Sequence, residues 1–376
     1  MTCTANFRFG AFETAVYIGR ELPALDEIRG PAAGVLVVCD EHTAFIADSI
    51  CRGVRTPRCV LPAGENAKNW SSVEAILRAA AGAGLGRDAC FAGVGGGVVG
   101  DLTGFAASVY MRGCGLCLVP TTLLGMVDAS LGGKTGFDLF GVKNLAGAFY
   151  PAARVFMPLE SLKTLPPAEW KSGMAELIKT AVLSGGDFLE FLESVVSAFP
   201  PGSFASGFPP GFAETLFGMD GGVPEQCVRR AVELKGRVVE ADPRETGTGR
   251  QLLNLGHTFG HALESSAGLG ALSHGEAVAW GMARACELGI AEGISPPARA
   301  EKIAGILRSF GYETRAPHPR APGPEAFLKA LASDKKKRSG KLTFIVPDSR
   351  GARAITPDPG RDMEKIKKIL NGTVNI

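Results

Sequence analysis

The sequence predicts an α/β protein in two parts: a parallel-sheet domain over residues 1–170 and an all-helical domain over residues 171–376. Three observations carry that expectation. Up to about residue 160, short apolar runs alternate with helix-compatible stretches, the pattern of a parallel sheet covered by helices. A glycine-rich turn, Gly95-Gly96-Gly97-Val98-Val99-Gly100, falls between one such run and a helical stretch. Beyond Trp170 the β-branched runs stop and apolar residues recur at helical spacing.

In chain order, Val35 to Cys39 reads as a buried parallel strand closing on Asp40, and Thr43 to Arg52 as a helix. Arg58 to Leu61 is a second strand, running into the loop Pro62 to Lys68; Ser71 to Ala83, rich in Ala and Leu, is the next helix. Asp88 to Val94 is a third strand, delivering the glycine turn and Asp101, with a helix from Leu102 to Met111. Gly115 to Pro120 ends as a strand at Thr121-Thr122, and Val155 to Met157 is one more. Ligands of such sheets bind beyond the carboxyl ends of the strands. Asp40, Glu65, Gly97, Asp101, Thr121 and Thr122 all take such positions.

The second part reads as helices over 171–183, 187–198, 225–240, 252–264, 273–292, 298–310, 324–331 and 362–370, with Leu342 to Val346 a short strand or extended segment. Ser273 and Glu276 form a capping box, which puts His274 in the first turn of its helix. Residues 199–224, rich in Pro, Gly and Phe, read as a long loop without catalytic content.

Composition narrows the function. At 376 residues, 45% hydrophobic and 21% charged, the chain is globular with room for two cores. A net charge of +2 argues against nucleic acid and anionic membranes as partners, so an anionic substrate must meet local clusters of Lys and Arg. The 50 glycines suit tight turns and close backbone approach to phosphates. Nine cysteines without a regular framework read as buried free thiols of a reducing compartment, and Cys114-x-x-Cys117 has no second pair to complete a zinc site. The first residues carry neither the basic start nor the apolar stretch of a secretory signal, and no run resembles a membrane span; the expected location is the cytoplasm.

The chemistry concentrates in Leu252 to Glu264 and Ser273 to Glu276, which hold three of the five histidines. His257 and His261, four apart, share a helix face as two metal ligands or as a ligand and an acid/base group. Two exposed histidines on an amphipathic helix are the plainer alternative, and His274 tips the balance toward a metal. Glu176 and Lys179 also share a helix face, either as a surface ion pair or as a carboxylate ligand beside a substrate-anion partner. One Glu with His257 and His274 would leave a metal open to water or substrate hydroxyls. The glycine turn fits either a packing turn or a pyrophosphate held at a helix N-terminus, with Lys134 and Lys143 following. Asp334-Lys335-Lys336-Lys337-Arg338 is either a solvated loop or a mobile anion clamp.

Taken together, these residues resemble the 3-dehydroquinate synthases among the sugar-phosphate cyclases. The resemblance rests on Gly95 to Asp101, Arg112-Gly113, Pro120 to Leu124, Asp128, Gly132 to Thr135, Lys143-Asn144, Gly147 to Tyr150, Gly173 to Glu176 with Lys179, Asn254 to His261 and His274 to Glu276. It implies a Rossmann-like N-terminal domain, a helical C-terminal domain, an active site in the cleft between them, and a homodimer. The implied reaction converts 3-deoxy-D-arabino-heptulosonate 7-phosphate to 3-dehydroquinate and phosphate in the shikimate pathway, with NAD used and regenerated in each turnover. The implied metal, zinc or cobalt, is held by Glu176, His257 and His274. NAD contacts fall on Asp40, Glu65 to Lys68, Gly97, Val98, Val99, Gly100, Asp101, Thr121, Thr122, Lys134, Lys143, Ser161, Leu162, Lys163 and Thr164. Substrate contacts and catalysis fall on Asp128, Lys134, Asn144, Lys179, Lys235, Arg250, Asn254, His261 and Lys336, with Arg112 reaching the phosphate from a neighbouring subunit. The chain departs from the family at Asp242-Pro243 and by about one extra residue between Glu245 and Arg250. Two other activities share part of this residue set: an inosose- or valiolone-type cyclase, and a metal-dependent polyol dehydrogenase.

Overall fold

Unbroken runs of Val, Leu, Ala and Cys can be buried on both faces only inside a sheet, and two of them form its centre here. In the computed structural model, which describes residues 1–268, 271–321, 323–337, 342–356 and 363–372 and the side chains of all these except 324 and 332–337, the chain forms two compact units. The first is Met1–Leu165 with Ala213–Arg244; the second is Pro166–Phe212 with Glu245–Ile376. Residues 213–244 thus return to the first unit, beyond the 1–170 segment expected from the sequence.

The first unit is built on a seven-stranded sheet in the order β1-β2-β9-β6-β5-β3-β4. Its strands are β1 (Ala5–Phe9), β2 (Phe12–Gly19), β3 (Val35–Asp40), β4 (Arg58–Leu61), β5 (Cys90–Gly95), β6 (Gly115–Pro120) and β9 (Arg154–Pro158), with the hairpin β7 (Lys134–Leu139) and β8 (Val142–Phe149) lying outside the sheet. All neighbours pair in parallel except β1 with β2. The helices of this unit are α1 (Leu25–Arg29), α2 (Ala44–Ile50), α3 (Trp70–Gly82), α4 (Gly97–Val109) and, later in the chain, α8 (Val223–Ala241). The core between β3, β5, β6, α1 and α2 includes Ile28, Val37, Cys39, Ile46, Ala92, Val94 and Val119.

The second unit contains α5 (Pro167–Ser184), α6 (Phe188–Ser197), α9 (His257–Ala267), α10 (His274–Ala291), α11 (Pro297–Ser309), α12 (Pro324–Lys337) and α13 (Met363–Leu370); α7 (Phe212–Gly218) begins at its edge. Among the described residues it is helical except for one antiparallel hairpin, in which β10 (Phe344–Pro347) falls on the run expected as a short strand or extended segment and β11 (Ala352–Ile355) is the unexpected addition to the otherwise helical part. Among the described residues no helix is long and apolar enough to cross a membrane.

Four local expectations change. Residues 199–224 are not a featureless loop: Phe199, Phe204, Phe208 and Phe212 stack edge-on and face-on, and Phe204 and Phe208 also reach Phe310. These phenylalanines bury an aromatic cluster that the Pro and Gly between them hide from any periodicity. The helix after the glycine turn begins at Gly97 rather than Leu102, so Gly97 to Asp101 form its first turns. The stretch 252–264 is not one helix: Arg250–Asn254 is a 3-10 turn, and Gly256, at φ 80°, breaks the chain in the left-handed region before α9 starts at His257. Asp334 to Lys337 continue α12 instead of forming a loop.

The β7–β8 hairpin escaped the sequence reading because glycine and lysine mask its alternation. Gly136 and Gly147 face each other across it; a Cβ on Gly147 would lie 2.2 Å from the Thr135 carbonyl oxygen. Gly147→Ala should therefore force the strands apart and cost about 1–3 kcal/mol, the range for overpacking. Thermal unfolding should show a lower melting temperature than the parent chain.

Candidate active site

Three helices of the second unit approach one another more closely than side chains permit, and glycine supplies the contacts. A Cβ on Gly281 of α10 would lie 2.0 Å from the Gly256 carbonyl oxygen, at the start of α9. One on Gly260 would meet the Ala277 carbonyl at 2.9 Å, and one on Gly275 the backbone of Ser172 on α5 at 2.5 Å. The capping box expected at Ser273 is present: Ser273 Oγ accepts from the Glu276 N–H at 3.2 Å, while the Glu276 carboxylate accepts from the Ser273 N–H at 3.1 Å. It fixes the first turn of α10, which begins at His274.

The result is a donor set around one fully buried carboxylate. Glu176 on α5 is 0% exposed. His274 Nε2 lies 3.3 Å and His257 Nε2 3.6 Å from its Oε1, and ligand atoms of the three residues lie within 4.8 Å of one another. Neither Glu176 oxygen has a well-formed hydrogen bond among the described residues, although the Lys179 ammonium lies against Oε2. A fully buried carboxylate without hydrogen bonds is costly, and two imidazole nitrogens turned toward it make a donor set that fits a zinc-like divalent ion. The other nitrogen of His257 sits 3.2 Å from the Leu255 carbonyl oxygen, a contact that assigns the proton to Nδ1 and leaves Nε2 as donor to a metal.

The electrostatics agree. Burial works against charge on Glu176, but Lys179 and His274 outweigh it and hold the carboxyl well below the usual range. Burial also works against charge on His274, yet Glu176 and Glu264 raise it to about 10. Burial and then Lys179 drive His257 well down, so it is neutral.

Lys179 is buried on the same helix as Glu176, one turn on. The His261 ring stands 5.2 Å from that of His257 and 6.2 Å from that of His274, centroid to centroid. Arg250 is 3% exposed on the 3-10 turn that leads into α9, and Asn254 at the end of that turn donates to Glu245 Oε1 at 3.1 Å. The second unit thus gathers Glu176, Lys179, His257, His261 and His274, with Arg250 and Asn254 on the adjoining turn. Lys336 is in α12, and its side chain lies outside the described residues.

In the first unit, Asp40 ends β3 and accepts from the Thr43 N–H and hydroxyl at 2.9 and 2.8 Å. Glu65 is exposed on a 3-10 turn beyond β4. Lys68, buried, pairs with Asp101 at 2.5 Å; burial raises the Asp101 carboxyl despite that partner. Gly97, Val98, Val99 and Gly100 open α4, whose N-cap is Gly96, a residue with no side chain to occupy the first N–H groups. Thr121 and Thr122 follow β6; the Thr121 carbonyl accepts from Ser161, and Thr122 Oγ1 accepts from the Gly125 N–H at 3.0 Å. Ser161, Leu162, Lys163 and Thr164 lie in a 3-10 segment after β9, where Lys163 pairs with Glu160 at 2.6 Å. Lys235 of α8 donates to the Asp128 carbonyl and carboxylate, each at 2.5 Å. Lys134, Lys143 and Asn144 are exposed on the β7–β8 hairpin, Asn144 with a left-handed φ of 52°. Arg112 is exposed after α4 and follows Met111 into the left-handed region, at φ 68° and 48°.

The sequence reading assigned no role to three features that build this site: the glycines between α9, α10 and α5, the Leu255 carbonyl, and Glu264, whose Oε2 stands 3.8 Å from His274 Nδ1. The 256/260 and 275/281 glycine spacings were the available signal for the first. Gly281→Ala should push α10 off α9 and disperse the donor set. It should lower both the melting temperature and the affinity for a divalent ion, the stability loss being about 1–3 kcal/mol or more, measured by thermal unfolding and by competition with a chromophoric chelator.

Comparison with known proteins follows this geometry. The chain has a TM-score of 0.80 and 26% identity to a 2-epi-5-epi-valiolone synthase from Streptomyces hygroscopicus subsp. jinggangensis, solved with NAD+ and Zn2+, covering 98% of each chain. It has a TM-score of 0.76 and 24% identity to a 2-deoxy-scyllo-inosose synthase solved with carbaglucose-6-phosphate, NAD+ and Co2+, covering 97% of this chain and 99% of that one. An iron-containing alcohol dehydrogenase from Corynebacterium glutamicum shares the fold at a TM-score of 0.63 and 16% identity, over 98% of each chain. Residues 58–172 match the 3-dehydroquinate synthase N-terminal family and residues 173–337 the 3-dehydroquinate synthase C-terminal family. The two matches run on without a gap, and the chain belongs to the 3-dehydroquinate synthase family.

Proposed function

We propose that the protein is a 3-dehydroquinate synthase, converting 3-deoxy-D-arabino-heptulosonate 7-phosphate to 3-dehydroquinate and inorganic phosphate. The observation that carries the specific reading is Arg250, buried on the turn that feeds the helix of His257 and His261. A heptulosonate phosphate bears a carboxylate besides its phosphate, and a guanidinium fork binds both carboxylate oxygens; a sugar phosphate without a carboxylate lacks this second anion.

The residues divide the work. Glu176, His257 and His274 hold a divalent zinc or cobalt ion; Gly97 to Asp101, with Asp40, Thr121, Thr122 and the Lys143 and Ser161 segments, hold NAD, whose pyrophosphate suits the uncapped α4 N-terminus. When bound, the nicotinamide supplies a hydride acceptor that is restored within the turnover, and the metal polarises neighbouring hydroxyls of the substrate. Lys134, Asn144, Lys179 and Arg112 bind and orient the phosphate end and its neighbouring hydroxyls, with Lys336 as a further cation. Lys235, tied to Asp128, holds that carboxylate in place. Asn254 holds a substrate hydroxyl, and His261, beside the metal helix's first turn without belonging to the donor set, moves the proton. Arg112 acts across a homodimer. The nine cysteines are all free, which suits a reducing cytoplasm.

The likeness to the valiolone and inosose synthases supports a second reading, a cyclase of that type acting on a sugar phosphate without a carboxylate. One assay separates the two. The purified chain, given zinc, catalytic NAD and the heptulosonate phosphate, should release one phosphate per substrate without accumulating NADH. Turnover only of sugar phosphates without a carboxylate would assign the second reading, and net NADH without phosphate would overturn both.

The proton count gives a further prediction. In metal-stripped protein His274 keeps its proton up to about pH 10, whereas Glu176 and His257 carry none at neutral pH. Loading the site then displaces one proton, so zinc affinity should rise about tenfold per pH unit between about pH 6 and 8. Titrations in buffers of different ionisation enthalpy should show release of about one proton.

A further inference from the structure

Glu264 lies on α9, one turn beyond His261 and two beyond His257, so it faces the same side of the helix as both. Its side chain is only 15% exposed, and its Oε2 is 3.8 Å from Nδ1 of His274, while Nε2 of the same ring is 3.3 Å from Glu176. The two carboxylates therefore stand at opposite nitrogens of one imidazole. His257 shows the same arrangement with a different outer group: Nε2 toward Glu176, Nδ1 toward the Leu255 carbonyl. Both rings are thus fixed from behind, one by a backbone oxygen and the other by a charge.

We propose that Glu264 is a positioning residue for the metal site: it takes the Nδ1–H of His274 and so presents Nε2 of that ring, free of its proton, to the ion. The inference rests on the reading of Glu176, His257 and His274 as metal ligands. The separation is that of an ion pair rather than a formed hydrogen bond, and it already decides which nitrogen keeps its proton when the ion binds. Because the outer group is an anion, it also makes the imidazole a stronger donor than a carbonyl would. Glu264 further stands beside His261, since ligand atoms of His261, Glu264 and His274 lie within 4.8 Å of one another. One carboxylate on α9 thereby braces the ligand that α10 contributes, and the two helices that glycine brings together are also tied by charge.

The test compares the full chain with Glu264→Gln and Glu264→Ala. Zinc affinity is measured by competition with a chromophoric chelator, the visible spectrum of the cobalt form reports ligand geometry, and melting is followed with and without metal. Glu264→Ala should bind zinc about 10–100-fold more weakly, the usual effect of removing such an outer partner, with an altered cobalt spectrum. Glu264→Gln, which keeps an acceptor oxygen without the charge, should fall between it and the parent. The metal-stripped melting temperatures should stay together while the zinc-loaded ones separate. Affinities of both variants within about threefold of the parent would overturn the inference, and so would a metal-stripped melting temperature that falls as far as the loaded one. Loss of a second, weaker zinc equivalent with the first unchanged would also overturn it, assigning Glu264 to a separate cation site with His261. Failure of the parent chain to bind zinc would instead overturn the metal reading itself.

Discussion

Everything in the second unit depends on backbone meeting backbone where α10 crosses α9 and α5. Gly281 against Gly256, Gly260 against Ala277 and Gly275 against Ser172 leave no room for a Cβ. Such contacts set helix separations below those that ordinary side chains give. At these distances three short reaches suffice: a glutamate from α5, a histidine from the start of α9 and a histidine from the start of α10 meet at their tips. A donor set so placed is preorganised, because the packing that fixes each ligand belongs to the core of the unit rather than to a loop.

That geometry creates an electrostatic problem whose solution points to chemistry. A carboxylate at 0% exposure is expensive, and the structure surrounds it with Lys179 and two imidazoles instead of hydrogen-bond donors of good geometry. A core selected for stability alone would do better with apolar residues in the same volume. The neutral state of His257 and the anionic state of Glu176 are the forms that ligate a metal, and only His274 has a proton to give up. The first unit shows a milder version, in Lys68 with Asp101 and Lys235 with Asp128, where largely buried charges are satisfied in pairs.

The sequence was most legible where one periodicity dominates. β3, β5 and β6 were readable because both faces are apolar, and the α10 start because a capping box is a local signal. The residues of the donor set were readable from the scarcity of histidine and from family resemblance. Where backbone freedom decides, the reading failed: the left-handed Gly256 that separates Asn254 from α9, the Gly136/Gly147 hairpin and the early start of α4 at Gly97 all look like interruptions in a pattern. The aromatic cluster of residues 199–212 failed for a different reason, since its order comes from Phe310, far along the chain. Glu264 was in plain view at helical spacing from both histidines, but its partner is on another helix, and no spacing rule reaches across helices.

This division bears on how the family can vary its reaction on one scaffold. The glycine contacts and the ligands are coupled, because moving one helix moves a ligand, and substitutions there act on metal and stability together. Arg250 and Asn254 lie on a 3-10 turn that the left-handed Gly256 sets off from α9. Glu245, itself at φ 55°, holds Asn254 from the segment just before the turn, the region where this chain departs from the family pattern. On the proposed reading the side chains of this turn meet the substrate's carboxylate, while the Leu255 carbonyl that closes the turn faces His257 Nδ1, so one short segment bears on both the substrate and the metal.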